Sequence, residues 1–229
     1  MKFKCISTGS DGNAFVLTND QGHHLLLEAG IPLPQIKRGL HYDIENLQGC
    51  VVSHSHLDHS LSVSKIRKMG IPMLLPYKLE SKRLRTMIGD YIIETFPLPH
   101  NGVENRGFLI TSGEQTVCFM TDFEYCPYDL TSRNIDTMII EMNYQADRIS
   151  DMDEHRRHVV LGHSEEKTTI EILKQNIKSL KNVIFIHMSN SGSLDRELAM
   201  KHVREVIPEY ITVEWANPGK TYNISLIPF

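Results

Sequence analysis

His54-Ser55-His56-Leu57-Asp58-His59, one residue after the apolar run Cys50-Val51-Val52, places three imidazoles and one carboxylate within a single short loop. Side chains two apart in an extended backbone share a face, so His54 and His56 project together while Asp58 and His59 reach a second point just beyond. The stretch therefore offers two half-sites. Imidazole and carboxylate suit zinc, manganese or iron, and an ion held by only two or three protein ligands keeps positions open for water. The expectation is a hydrolytic centre of two divalent ions, Zn2+ or Mn2+, with iron admissible. Asp58 also has the chemistry to cap a helix running over 59–69, a role compatible with ligation.

A chain of 229 residues can form one large domain over 1–229 and bury a core without disulfides. Cys5, Cys50, Cys118 and Cys126 lack the short paired spacing of a zinc knuckle or redox motif, so they read as reduced, buried thiols. The first residues carry no basic region followed by a long apolar one. No run approaches the roughly eighteen apolar residues of a membrane span, so a soluble, cytoplasmic protein without a membrane partner is expected. The formal charge of −4 excludes a globally basic nucleic-acid coat but leaves room for a local basic patch.

Working outward, short apolar runs at 3–6, 14–17 and 25–27, separated by Gly/Ser/Asp/Asn clusters, predict an antiparallel meander. A helix is expected at 32–40, a buried strand at 50–52 leading into the histidine loop, and a helix at 61–69. Further strands are predicted at 73–75, 91–96, 107–111 and 116–120, the last two joined through Ser112-Gly113-Glu114-Gln115, with a helix at 80–87. Strands at 137–141, 183–187, 211–214 and 222–227 then alternate with helices at 165–180 and 194–206, while 144–157 reads as a charged surface loop. Several strands followed by strand-helix alternation, given twice, predict an α+β protein with two packed sheets and helices outside.

His100, Asp122 and His187 each follow an apolar strand-like run, where a strand hands over to a loop at the rim of a sheet. His163 sits in Gly162-His163-Ser164 after another such run. It is a candidate general acid, with packing or capping as the plainer alternative. Ser10 and Asn13 read equally well as turn formers and as site residues, and His23, His24, His41, His155, His158 and His202 as surface residues.

The order His54-x-His56-x-Asp58-His59, then His100, Asp122 and His187, resembles the metallo-β-lactamase-fold hydrolases over nearly the whole chain. That resemblance implies a four-layer αβ/βα sandwich, with His54, His56 and His100 on one metal, Asp58, His59 and His187 on the other, and Asp122 bridging both. Ser7-Thr8-Gly9-Ser10-Asp11-Gly12-Asn13-Ala14, Leu26-Leu27-Glu28-Ala29-Gly30, Glu141-x-Asn143 and Gly162-His163-Ser164 are similar to the small WalJ-type exonucleases of bacteria and their phages. Glu28 stands where that group carries Asp, as a supporting residue and not a ligand. The group implies a nuclease degrading DNA from 5′ ends.

The expected mechanism is phosphodiester hydrolysis by a metal-bridging hydroxide, with Asp58, Asp122 and His163 as catalytic residues. DNA is a better candidate substrate than RNA; Lys78, Lys82, Arg83 and Arg85, and separately Arg148, Arg156 and Arg157, are candidates for holding a polyanion, with a solvated helix face or loop as the plainer reading of each cluster. The same hydroxide chemistry would serve an ester, lactone, lactam or thioester. A metal-binding regulatory protein without catalysis is a third reading, against which the full ligand set argues.

Overall fold

The computed structural model describes residues 1–79, 84–149, 162–188 and 193–225. Two mixed sheets face each other. The six-stranded sheet has the order β13-β1-β2-β3-β4-β5, from β1 (Lys2–Ser7), β2 (Ala14–Thr18), β3 (His24–Leu27), β4 (Leu47–Val51), β5 (Met73–Leu74) and β13 (Thr221–Asn223). The seven-stranded sheet has the order β12-β11-β10-β9-β8-β7-β6, from β6 (Leu84–Ile88), β7 (Tyr91–Leu98), β8 (Asn105–Ser112), β9 (Gln115–Met120), β10 (Thr137–Glu141), β11 (Asn182–Ile186) and β12 (Thr212–Trp215).

Alternation in β1 points Phe3 and Cys5 inward, where Phe15, Phe108, Phe119 and Ile184 from both sheets meet in the central core. Outside the first sheet, Ile36 of α1 (Leu33–Gly39) and Ile66 of α3 (Val63–Lys68) cover Val16, Leu26 and Cys50. Outside the second, Ile172 and Leu173 of α4 (Glu166–Asn176) join Ala199 and Val203 of α5 (Arg196–Val206) over Cys118, Ile140 and Phe185. The Asp195 carboxylate starts α5 by accepting hydrogen bonds from the amides of Glu197 and Leu198, both at 3.1 Å. This helix-sheet-sheet-helix order is the expected α+β sandwich.

Strands β10 and β11 are buried along their whole length and read as near-continuous apolar runs, as parallel strands covered on both faces must. Strands β9 to β12 run parallel, and so do β3 to β5. Their carboxyl ends therefore gather on one edge of the sandwich, the usual place for a site in sheets of this kind.

Three readings are corrected. Residues 84–88 form edge strand β6, paired antiparallel with β7, where a helix over 80–87 was expected; 80–83 lie outside the described residues. The helix expected at 61–69 is α3, but the longer helix over 59–69 that Asp58 was expected to cap is not formed: Asp58 lies inside the short α2 (Leu57–Ser60), and His56 takes its N-cap position without a capping side chain. Tyr144 and Gln145 are buried and not part of a surface loop: Gln145 donates to Glu166 Oε2 at 3.0 Å and accepts from the Asp195 amide at 2.9 Å. Farther along, Ala146, Asp147 and Arg148 are exposed as expected, and 150–157 lie outside the described residues.

Candidate metal centre

Strand ends supply every candidate ligand. Glu28 follows β3, His54 to His59 follow β4, His100 follows β7, Asp122 follows β9, Glu141 closes β10 and His187 follows β11. Glu28, Asp122 and His187 adopt positive φ, at 63°, 51° and 51°. Non-glycine residues rarely adopt that conformation, and it persists where surrounding structure enforces it, often at sites. Here it is enforced by backbone anchors: Asn105 Nδ2 donates to the carbonyls of Thr121 and Asp122, and the His187 amide donates to Thr8 Oγ1 at 2.8 Å.

The structure brings His54, His56, His100 and Asp122 together as one group, and Asp58, His59, Asp122 and His187 as a second. In the first, His56 Nδ1 lies 3.0 Å from His54 Nε2 and 3.3 Å from His100 Nε2. Asp122 Oδ2 stands 3.8 and 3.9 Å from His54 Nε2 and His100 Nε2. In the second, His59 Nε2 is 3.3 Å from both Asp58 Oδ2 and Asp122 Oδ1, and His187 Nε2 is 3.7 Å from Asp58 Oδ2. Asp122 thus turns one carboxylate oxygen to each group.

These spacings fit a metal. Ligand atoms about 2.0–2.1 Å from a tetrahedral ion are separated by about 3.3 Å. Among the described residues, buried His187 Nε2 has no hydrogen-bond partner, an expensive state unless something else takes its lone pair. Outer atoms fix the rings: His100 Nδ1 donates to the Gly162 carbonyl at 2.5 Å, His54 Nδ1 meets Ser53 Oγ at 2.9 Å, and Glu28 Oε2 lies 3.3 Å from His59 Nδ1. Such partners are what orient ligating imidazoles.

The electrostatics follow from packing carboxylates and imidazoles in a dry site. Burial opposes charge on Asp58 and Asp122, yet the imidazoles around them prevail and hold both pKa values below the usual carboxylate range. Burial likewise opposes the charged form of His187, but Asp122, Asp58 and Glu141 push its pKa up to about 10. Burial and neighbouring His59 press His54 the other way, toward the neutral form.

Glu141 is the residue whose role sequence reasoning missed. Its Oε1 accepts hydrogen bonds from Nδ1 of His163 at 2.7 Å and of His187 at 2.9 Å, and its Oε2 accepts from the Phe123 amide at 3.1 Å. The stacked rings of His163 and His187 lie 5.2 Å apart. Glu141, His163, His187 and Asp122 therefore form a third group with metal-binding chemistry. Burial disfavours imidazolium at His163, but the Glu141 carboxylate outweighs it and raises the pKa. Asn13, an ambiguous turn former in the sequence, is fully buried with its Nδ2 3.1 Å from His59 Nε2, whereas Ser10 is exposed.

The basic candidates are less gathered. Arg85 pairs with Glu94 and Arg148 with Asp195, each at 3.4 Å, and Lys78 is exposed beside the Tyr77 ring. Lys82, Arg83, Arg156 and Arg157 lie outside the described residues, as do His155 and His158.

Residues 7–86 match the sequence profile of the metallo-beta-lactamase superfamily. Solved structures extend the likeness across the chain. The metallo-beta-lactamase fold protein YhfI from Bacillus subtilis superposes with a TM-score of 0.76 at 18% identity, covering 97% of this chain and 99% of that one. Human tRNase Z, short form, gives 0.65 at 14%, covering 99% and 100%. A diphosphatase from the PhnP family gives 0.64 at 14%, covering 97% of each. The fold is that of the metallo-β-lactamase superfamily, with a His/Asp cluster able to hold metal. Comparison with curated protein sequences gives no match. Among the described residues, no helix is long and apolar enough to cross a membrane.

Proposed function

We propose that the protein is a metal-dependent hydrolase with a dinuclear centre, acting as a phosphodiesterase and specifically as a 5′ to 3′ DNA exonuclease. The observation that carries the hydrolase reading is Asp122, whose two carboxylate oxygens face the His54/His56/His100 group on one side and the His59 group on the other. Support for a phosphorus substrate comes from the fold likeness to a tRNase and a diphosphatase, and for DNA and polarity from the motif resemblance to WalJ-type exonucleases.

His54, His56 and His100 would hold one ion, Asp58, His59 and His187 the other, and Asp122 both. Zinc and manganese suit this mixed nitrogen and oxygen donor set. Such ions would supply activation of water near neutral pH and neutralisation of charge growing on the phosphoryl oxygens.

The protein's own residues do the rest. Glu141 fixes the His163 ring through Nδ1 and favours imidazolium, so Nε2 is the proton donor to the leaving oxygen. Gly162 holds His100 through Nδ1, and the Glu28 carboxylate stands 3.3 Å from His59 Nδ1, on the ring edge away from Asp58 and Asp122. The test is cleavage of 5′- and 3′-labelled duplex DNA and of single-stranded RNA in zinc and in manganese, with His54→Ala and Asp58→Ala prepared identically. Metal-dependent loss from the DNA 5′ end, abolished in both variants, is the expected result. No cleavage by protein carrying two ions would overturn it. That outcome would favour a small ester, lactone or lactam substrate, which the negative net charge and the acid-paired Arg85 and Arg148 would also suit.

A further inference from the structure

The end of β7 and the start of β8 frame a cavity of about 290 Å³ whose walls include Pro97, Pro99, Glu104, Asn105, Arg106 and Tyr128. Arg106 faces Pro97 across the ladder and is 3% exposed. Among the described residues, its Nε is buried with no hydrogen-bond partner. Its ion-pair partner is Glu104 at 3.1 Å, a side chain that is itself 71% exposed. A guanidinium carries five donors in a rigid fork, and removing it from water with a donor unmet is costly unless an acceptor arrives. Stability alone is poorly served by that placement. The reachable position on the guanidinium is the one Glu104 holds, and an anion in the cavity would take the place of that carboxylate.

The cavity is also joined to the metal-ligand cluster. Asn105, beside Arg106 in the wall, donates through Nδ2 to the Thr121 carbonyl at 3.0 Å and to the Asp122 carbonyl at 2.5 Å. His100 directly follows Pro99. Arg106 thus directly follows the residue whose side chain anchors the Asp122 backbone.

We propose that this cavity is an anion subsite in which Arg106 takes a non-scissile phosphate of the substrate, fixing the strand relative to the metal-ligand cluster. This rests on the phosphodiesterase reading. Arginine binds phosphate bidentately, with planar donors matched to its oxygens. Glu104 competes for the same guanidinium, and its exposure lets it turn into solvent when phosphate enters. The pair Arg106 and Glu104 then sets a preference for substrates with more than one phosphate over a single phosphodiester.

Two substrates separate these effects: bis(p-nitrophenyl) phosphate, with one phosphate, and a 5′-phosphorylated thymidine trinucleotide. Arg106→Gln should raise KM for the trinucleotide about tenfold more than for the aryl ester, the size expected for one charge-assisted contact. Glu104→Gln should move KM for the trinucleotide the opposite way, about threefold down, because the competitor is gone. Equal changes on both substrates, or none, overturn the subsite. Should Arg106→Gln fail to fold, the direction of the Glu104→Gln shift decides alone. Hydrolysis of neither substrate by the metal-loaded parent protein would instead defeat the phosphodiesterase reading. Fluorescence anisotropy with a labelled phosphorothioate trinucleotide then tests the subsite by itself, since binding equal in the parent and Arg106→Gln would overturn it.

Discussion

Glu141 Oε1 accepts a hydrogen bond from His163 Nδ1 at 2.7 Å, and the same oxygen accepts from His187 Nδ1. One carboxylate thereby orients both a candidate proton donor and a candidate ligand. His163→Ala should lower kcat roughly a hundredfold, the usual scale for losing general acid catalysis, with metal content unchanged. Glu141→Gln should do more, because it misaligns His187 as well and costs metal. Metal analysis beside turnover separates the two, and metal loss in His163→Ala would show that His163 ligates through the third group.

Division of the ligands predicts a stoichiometry. Protein purified in zinc should carry two ions per chain. His54→Ala and His59→Ala should each retain about one, since each removes an imidazole from only one group. Asp122→Asn should weaken both, because its two oxygens face both groups. Inductively coupled plasma mass spectrometry after exhaustive dialysis reads this directly. Retention of two ions by His59→Ala would remove that residue from the ligand set.

Much of this is legible in the sequence itself, for reasons particular residues make plain. Continuous apolar runs such as Met138-Ile139-Ile140 and Val183-Ile184-Phe185 announce buried parallel strands, and a chemically expensive cluster like 54–59 announces a site. Strand β6 was misread because Leu84-Arg85-Thr86-Met87-Ile88 is an edge: Arg85 and Met87 face solvent, and its pairing with β7 is a tertiary choice that local composition does not encode. Glu141 showed only as part of a motif. Nothing in its neighbourhood along the chain says that His163, His187 and Phe123 converge on it. The same holds for Arg106, whose burial depends on strands brought together from elsewhere.

Thiol chemistry tests the core. Burial pushes the Cys5 thiol up to about 12, and raises Cys50 and Cys118 as well. An unfolded thiol titrates near about 8.5. A folded pKa above the unfolded one means that the stabilisation is whole below that pH and is lost as pH rises toward the folded value. Urea midpoints should therefore fall between pH 8 and pH 11, and less so in Cys5→Ala. At pH 8 an aromatic disulfide reagent should leave Cys5, Cys50 and Cys118 unmodified and reach half-buried Cys126 first. Rapid titration of all four thiols in folded protein would contradict the packing.

A Cβ built on Gly30 would stand 1.6 Å from the Asp58 carbonyl oxygen and 2.7 Å from the His59 amide. The approach is locked on both sides, for Gly30 donates to the Asn13 carbonyl at 2.8 Å while Asn13 donates to the Asp58 carbonyl at 2.7 Å. The obstacle is space and not φ, and the atom in the way is backbone that cannot rotate aside. Gly30→Ala should therefore destabilise by about 3 kcal/mol or more and displace the loop that carries Asp58 and His59. Gly22→Ala is the control: its φ of +84° strains an alanine, but nothing lies within 4 Å, so the cost should stay near 1–2 kcal/mol. Urea unfolding and zinc content, measured on both variants, discriminate cleanly. The glycine 30 variant should lose stability and metal together, the glycine 22 variant a little stability alone, and full metal retention in the former would mean that the loop tolerates displacement without losing its ligands.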